Sequence, residues 1–143
     1  MADTTTDTAQ SPRAVVERVL QCMVDIDMAG FGELWAEDGV LDVPFSSEGQ
    51  PRRLEGKKAI SDYLIEGQRL TPLKLESIEE VDIYETSDPE VIVAEFYGLG
   101  SVNTTGGKYR TRYLGLVRVR NGEIVLYRHY SEPVEWLIAA SAK

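Results

Sequence analysis

Hydrophobic positions in this chain change their period partway along. Over the first half, Val15, Val19, Cys22 and Ile26 recur at helical spacing, and Val16, Leu20 and Met23 widen the stripe. Arg13, Glu17, Arg18, Gln21 and Asp25 occupy the other side. Ser11-Pro12 supplies an N-cap and a proline at the first helical position, so a helix is predicted from there to about residue 28. A break at Ala29-Gly30 precedes a short helix with Phe31, Leu34 and Trp35 on one face. Glu37-Asp38-Gly39 predicts a turn, residues 40–44 a short strand and 46–54 a loop. A third helix is expected over about 57–66, with Ile60, Tyr63, Leu64 and Gly67 on one side.

Beyond residue 72 the pattern is that of strands. Segments 73–86, 91–102, 108–120 and 123–131 are rich in Val, Ile, Tyr and Thr. They are separated by Ser87-Asp88-Pro89-Glu90, Thr105-Gly106-Gly107 and Asn121-Gly122, the last a strong two-residue hairpin signal. The strands are long and carry internal glycines (Gly98, Gly100, Gly115), which favours bending. Pro133 opens a final short helix with Val134, Leu137 and Ile138 inward, and Trp136 is placed at a dimer interface or the pocket mouth. The pattern predicts an α+β fold: a strongly bent antiparallel sheet forming a cone-shaped barrel, three N-terminal helices over its concave face, and a C-terminal helix.

Composition narrows the function. Residues 1–11 read as a disordered tail and 12–143 as one domain. A net charge of -9 with scattered basic residues argues against a nucleic-acid partner. Neither a membrane-length apolar run nor a signal-peptide pattern is present, and a cytoplasmic location is expected. One cysteine, Cys22, and one histidine, His129, make neither a disulfide nor a metal cluster, so no metal is expected.

His129, at the end of the last strand segment, is the one side chain whose ordinary pKa lies near neutrality. Strand alternation groups it with Tyr127 and Ser131, and if Val125 and Tyr127 face inward it enters the cone. There it serves as a general acid or base, or as a neutral hydrogen-bonding wall residue. Tyr63 on the third helix and Tyr109 on the third long strand segment are candidates to polarise a carbonyl, against the simpler reading of aromatic core. Trp35, Val43, Phe45, Phe96, Tyr113 and Tyr127 are candidate pocket walls. Glu95 falls opposite Phe96 in strand parity, so if Phe96 faces the pocket Glu95 turns outward towards Arg110 or Arg112, and Asp42 reads as a surface or capping residue.

Several passages resemble nuclear-transport-factor-2-like proteins. Residues 34–44 (LWAEDGVLDVP) are similar to their passage from short helix to strand, and 54–60 (LEGKKAI) to their loop into the third helix. Residues 85–89, 107–110 and 121–133 resemble SnoaL-like cyclases and PhzA/PhzB proteins. The resemblance, over about 12–140, implies a usually dimeric cone with an open apolar pocket and no cofactor. Against the ketosteroid-isomerase pattern, Val43 stands at the base position, with Asp42 beside it, and Val19 at the tyrosine position. Against the epoxide-hydrolase pattern, Phe96 and Gly98 stand where Arg and Asp are needed. His129 matches the last-strand acid–base position of the SnoaL-like and PhzA/PhzB groups, Tyr63 the PhzA/PhzB third-helix histidine, and Tyr109 the tyrosine of their Tyr-Arg pair.

The expected activity is isomerisation, aldol-type cyclisation or dehydration of a small apolar or polycyclic carbonyl-bearing metabolite in a homodimer. The alternatives are a non-catalytic small-molecule binder and a dimeric interaction module of the same fold.

Overall fold

The computed structural model describes residues 11–46 and 49–132. Of the expected tail over residues 1–11, all but Ser11 lies outside them, as does the helix opened by Pro133, including Trp136. Ser11 caps the first helix, α1 (Pro12–Asp25), its hydroxyl accepting from the Ala14 N–H at 3.2 Å. Val15, Val16 and Val19 are its buried face. Left-handed Ile26 ends the helix, and the Ile26 and Asp27 N–H groups close onto the carbonyls of Met23 and Cys22. Asp27 then caps α2 (Met28–Glu33) through Gly30 N–H at 2.9 Å.

The next strand, β1 (Trp35–Asp42), runs through the expected turn at Glu37-Asp38-Gly39. Its pairing shifts register between Trp35 and Val40, so the polar triplet forms a bulge in a continuing strand. Gly39 is required there: a Cβ would stand 2.8 Å from the Trp35 ring and 3.0 Å from the Ile124 carbonyl. Within the expected loop lies a short strand, β2 (Arg53–Glu55), antiparallel to β1. The third helix, α3 (Lys57–Leu70), runs one turn past the predicted end because Gly67 is tolerated inside it, and it stops at Thr71, just before Pro72.

Strands β3 (Leu73–Glu85), β4 (Val91–Val102), β5 (Lys108–Arg120) and β6 (Glu123–Ser131) match the predicted segments closely. Asn121 and Gly122 both have positive φ, the geometry a two-residue hairpin needs. The six-stranded sheet has the order β2-β1-β6-β5-β4-β3. All pairs are antiparallel except β1 with β6, which is parallel. Two bulges in β3 and the inward glycines of β4 and β5 curl the sheet without closing it.

Strand β4 alternates without a break, burying Ile92, Ala94, Phe96, Gly98, Gly100 and Val102. The main core joins that face to Val15, Val16, Val19, Phe31, Trp35, Ile60, Val117, Ile124 and Tyr127. Each fully buried aliphatic or aromatic side chain there contributes about 1.5–3 kcal/mol by leaving water. A second, smaller cluster of Leu73, Val102 and Tyr109 lies at the other end of the sheet.

Candidate functional site

Between the two clusters is a cavity of about 280 Å³, with walls from both. Helices α1 to α3 contribute Met23, Met28, Phe31, Tyr63, Leu64 and Gln68. The sheet contributes Phe96 from β4, Tyr109 and Tyr113 from β5, and Tyr127 and His129 from β6. Leu41 and Val43 close one end; Thr71, Leu73 and Leu75 close the other.

His129 reaches this wall by way of a bulge. β6 shifts register against β5 at Val125, so Ile124 is buried, Val125 is half-buried, and the inward set resumes at Tyr127 and His129. The inward pair was therefore legible, but Val125 is not its continuation. The imidazole sits between two phenol rings, with centroids 5.6 Å to Tyr113 and 6.4 Å to Tyr127. Phe96 stacks on Tyr113 at 5.4 Å, and Phe31 and Trp35 flank Tyr127 at 6.0 and 6.3 Å. The result is a row of rings across β4, β5 and β6, with the single imidazole in the middle.

Three inward glycines make room for the tyrosines. Added Cβ atoms would stand 2.7 Å from the Tyr113 ring at Gly98, 2.9 Å from that of Tyr109 at Gly100, and 2.8 Å from the Tyr127 hydroxyl at Gly115. Each phenol thus lies over a bare stretch of neighbouring backbone.

The electrostatics are those of an apolar, uncharged wall. Among the described lining residues there is no Asp, Glu, Lys or Arg. Burial lowers the His129 pKa from 6.5 to about 4, because the imidazolium would lose its hydration without a compensating anion. The expectation of a group titrating near neutrality is corrected accordingly: the ring is neutral at pH 7. Burial also raises the pKa of Tyr127, which keeps its proton. The walls therefore offer neutral phenols, a neutral imidazole, the Gln68 amide and the Thr71 hydroxyl.

Of the sequence candidates, His129, Tyr63, Tyr109, Val43, Phe96, Tyr113 and Tyr127 come together here. Trp35 does not; it is fully buried in the core behind Tyr127. Phe45 is also absent from the lining: it is 70% exposed, with its ring against Tyr130 at 5.6 Å. Glu95 turns outward and accepts from Arg112 at 3.1 Å, while Asp42 accepts from Arg128 at 3.0 Å. Gln68 and Thr71 were missed because the helix was ended before them. Cys22 packs half-buried against the core. Among the described residues no cluster of His, Cys, Asp and Glu suits a metal, and no helix is long and apolar enough to cross a membrane.

A curled, unclosed sheet with helices over a central apolar cavity is the nuclear-transport-factor-2-like architecture, and comparison with known proteins agrees. The model of the SnoaL-like domain matches residues 16–127, and the chain belongs to that family. It is 35% identical to YesE of Bacillus subtilis over 83% of this chain and 80% of that one. It is 32% identical to the PhzA/B-like protein PA3332 of Pseudomonas aeruginosa over 89% and 88% of the two chains. A crystal structure of a Bacillus subtilis protein provisionally assigned as an isomerase superposes with a TM-score of 0.81 at 33% identity, covering 90% of this chain and 91% of that one.

Proposed function

We propose that this protein is a cofactor-independent acid–base enzyme acting on a small, uncharged, carbonyl-bearing compound by isomerisation, aldol-type cyclisation or dehydration. The observation that carries this reading is a neutral imidazole in the apolar wall, between Tyr113 and Tyr127. A neutral imidazole is already in the base form at pH 7. Its low resting basicity reflects desolvation by the surrounding apolar walls. As a carbon acid gives up its proton to Nδ1 or Nε2, an enolate develops beside the new imidazolium, and their attraction in a low-dielectric site restores basicity. A phenol of Tyr63 or Tyr109 would hydrogen-bond the developing oxyanion. A cavity of about 280 Å³ lies at the lower end of the roughly 300–1,000 Å³ range of small-molecule sites, which suits one or two rings better than a larger polycycle.

The kinship to a PhzA/B-like protein and to a provisionally assigned isomerase supports small-molecule chemistry as the activity class. Half-buried Val93, Leu114, Leu116 and Tyr130 on the outer sheet face support the homodimer as part of the same reading.

The test is exchange of the α-protons of 2-tetralone in deuterated buffer, followed by NMR. The wild type is expected to accelerate exchange over buffer, and His129→Gln to lose on the order of 100-fold of that rate while staying folded. Exchange no faster than buffer in the wild type would remove the catalytic reading for such ketones. A second reading, a non-catalytic carrier of the same ligands, is favoured by the low resting basicity of His129; saturable binding of 2-tetralone without exchange would select it.

A further inference from the structure

Among the described residues, Thr111 is the one polar residue in the fully buried set, and its hydroxyl has no hydrogen-bond partner. Buried hydroxyls are nearly always paired, because leaving one dry and unpaired opposes folding. A valine would fill the same β-branched shape without that penalty, so the sheet has no need of the oxygen.

The location gives the oxygen a use. Thr111 lies on β5 between Tyr109 and Tyr113, two residues from each and on the same face, and both tyrosines line the cavity. Directly opposite it on β4 is Gly98, and the Tyr113 ring lies across the space a side chain there would fill. The hydroxyl is thus behind the tyrosine wall and beside the ring that covers it. Trp35 Nε1 is also unpaired, but Trp35 belongs to the core and not to the cavity wall.

We propose that Thr111 is a ligand-binding residue of the cavity, whose hydroxyl donates to the carbonyl oxygen of a bound neutral ketone once the Tyr113 ring turns aside. This rests on the reading of the cavity as a site for carbonyl compounds. The side chain is held unpaired in the empty protein and gains its first partner from the ligand. It therefore discriminates a ketone from a hydrocarbon of the same shape.

The experiment uses 2-acetylnaphthalene and its carbonyl-free counterpart 2-ethylnaphthalene, with binding measured by calorimetry to the wild type, Thr111→Val and Thr111→Ser. Thr111→Val is expected to melt at the same or a higher temperature than the wild type. It should bind the ketone about tenfold more weakly and the hydrocarbon unchanged, while Thr111→Ser retains the preference. A Thr111→Val protein that melts several degrees lower would mean that the hydroxyl is paired in the empty protein, and would overturn the proposal. Unchanged binding of both probes would also overturn it while leaving the cavity reading intact. Failure of both probes to bind the wild type would remove the cavity reading and this proposal together.

Discussion

The Tyr127 hydroxyl stands 2.8 Å from the point where a side chain at Gly115 would begin, and Gly115 is paired directly with His129. The bare backbone at 115 is what lets the phenol lie beside the imidazole. Gly115→Ala would push a methyl group into Tyr127, which has Phe31 and Trp35 behind it. Chemical denaturation should show a loss of about 1–3 kcal/mol. Tyr127→Phe in the same chain should recover only part of it, because the ring carbon bearing the hydroxyl would be equally close, at 2.9 Å.

His129 should leave a signature in stability against pH. Its folded pKa of about 4 lies below the ordinary 6.5, so between those values the unfolded chain takes up a proton that the folded chain refuses. Stability from this group is complete above about pH 6.5 and declines as pH falls towards 4, by at most about 3 kcal/mol. Urea titrations from pH 8 to 4 should show the decline in the wild type, and His129→Gln should lack it. A wild-type curve no steeper than the variant's would refute the neutral imidazole of the cavity wall.

Glu90 acts in a different, lower window. Hydrogen bonds from Arg120 and Arg118 hold its pKa down, to about 2 from 4.5. The pairing therefore stabilises the fold above pH 4.5, and that contribution is lost as pH falls towards 2. Glu90→Gln should flatten acid unfolding between those values without altering binding of 2-acetylnaphthalene.

Asp42 tests the distinction between this site and the isomerase pattern. Its carboxylate is held by Arg128 on the neighbouring strand, facing away from Val43 and His129. Asp42→Asn should cost at most about 1 kcal/mol of stability and change the exchange rate of 2-tetralone less than twofold.

Trp35 and Phe45 should part company in a mutational scan. Trp35→Ala removes a fully buried ring and is expected to cost about 3–5 kcal/mol. Phe45→Ala, at an exposed position, should stay within about 0.5 kcal/mol of the wild type and bind 2-acetylnaphthalene as it does.

The contrast between those two aromatics shows what a sequence can carry. The long strands were legible because their segments are rich in Val, Ile, Tyr and Thr, and Asn121-Gly122 is a strong hairpin signal. Strand alternation grouped His129 with Tyr127 and Tyr109 with Tyr113, and set Glu95 on the face opposite Phe96. Trp35 was misassigned because helical spacing carried it along with Phe31, whereas the chain has already switched to strand there. The bulge at residues 37–39 imitates a turn, since exposure of Glu37 and Asp38 is the same signal in either case. Gln68 and Thr71 were hidden by Gly67, a helix-stop residue whose effect here is overridden by its surroundings. The lowered basicity of His129 could not be read at all, because desolvation is a property of the surrounding walls and not of the local sequence.

The strand order has a consequence for synthesis of the chain. β6 is the last of the described strands to be made, yet it sits in the middle of the sheet, joined to β1 on one side and β5 on the other. Until β6 is in place, β1–β2 and β3–β4–β5 are two pieces of sheet with raw edges, and the cavity lacks the wall that carries Tyr127 and His129. The residue on which the proposed chemistry depends thus arrives on the strand that joins them, so a nascent chain acquires its binding hollow in one late step and not by gradual accretion.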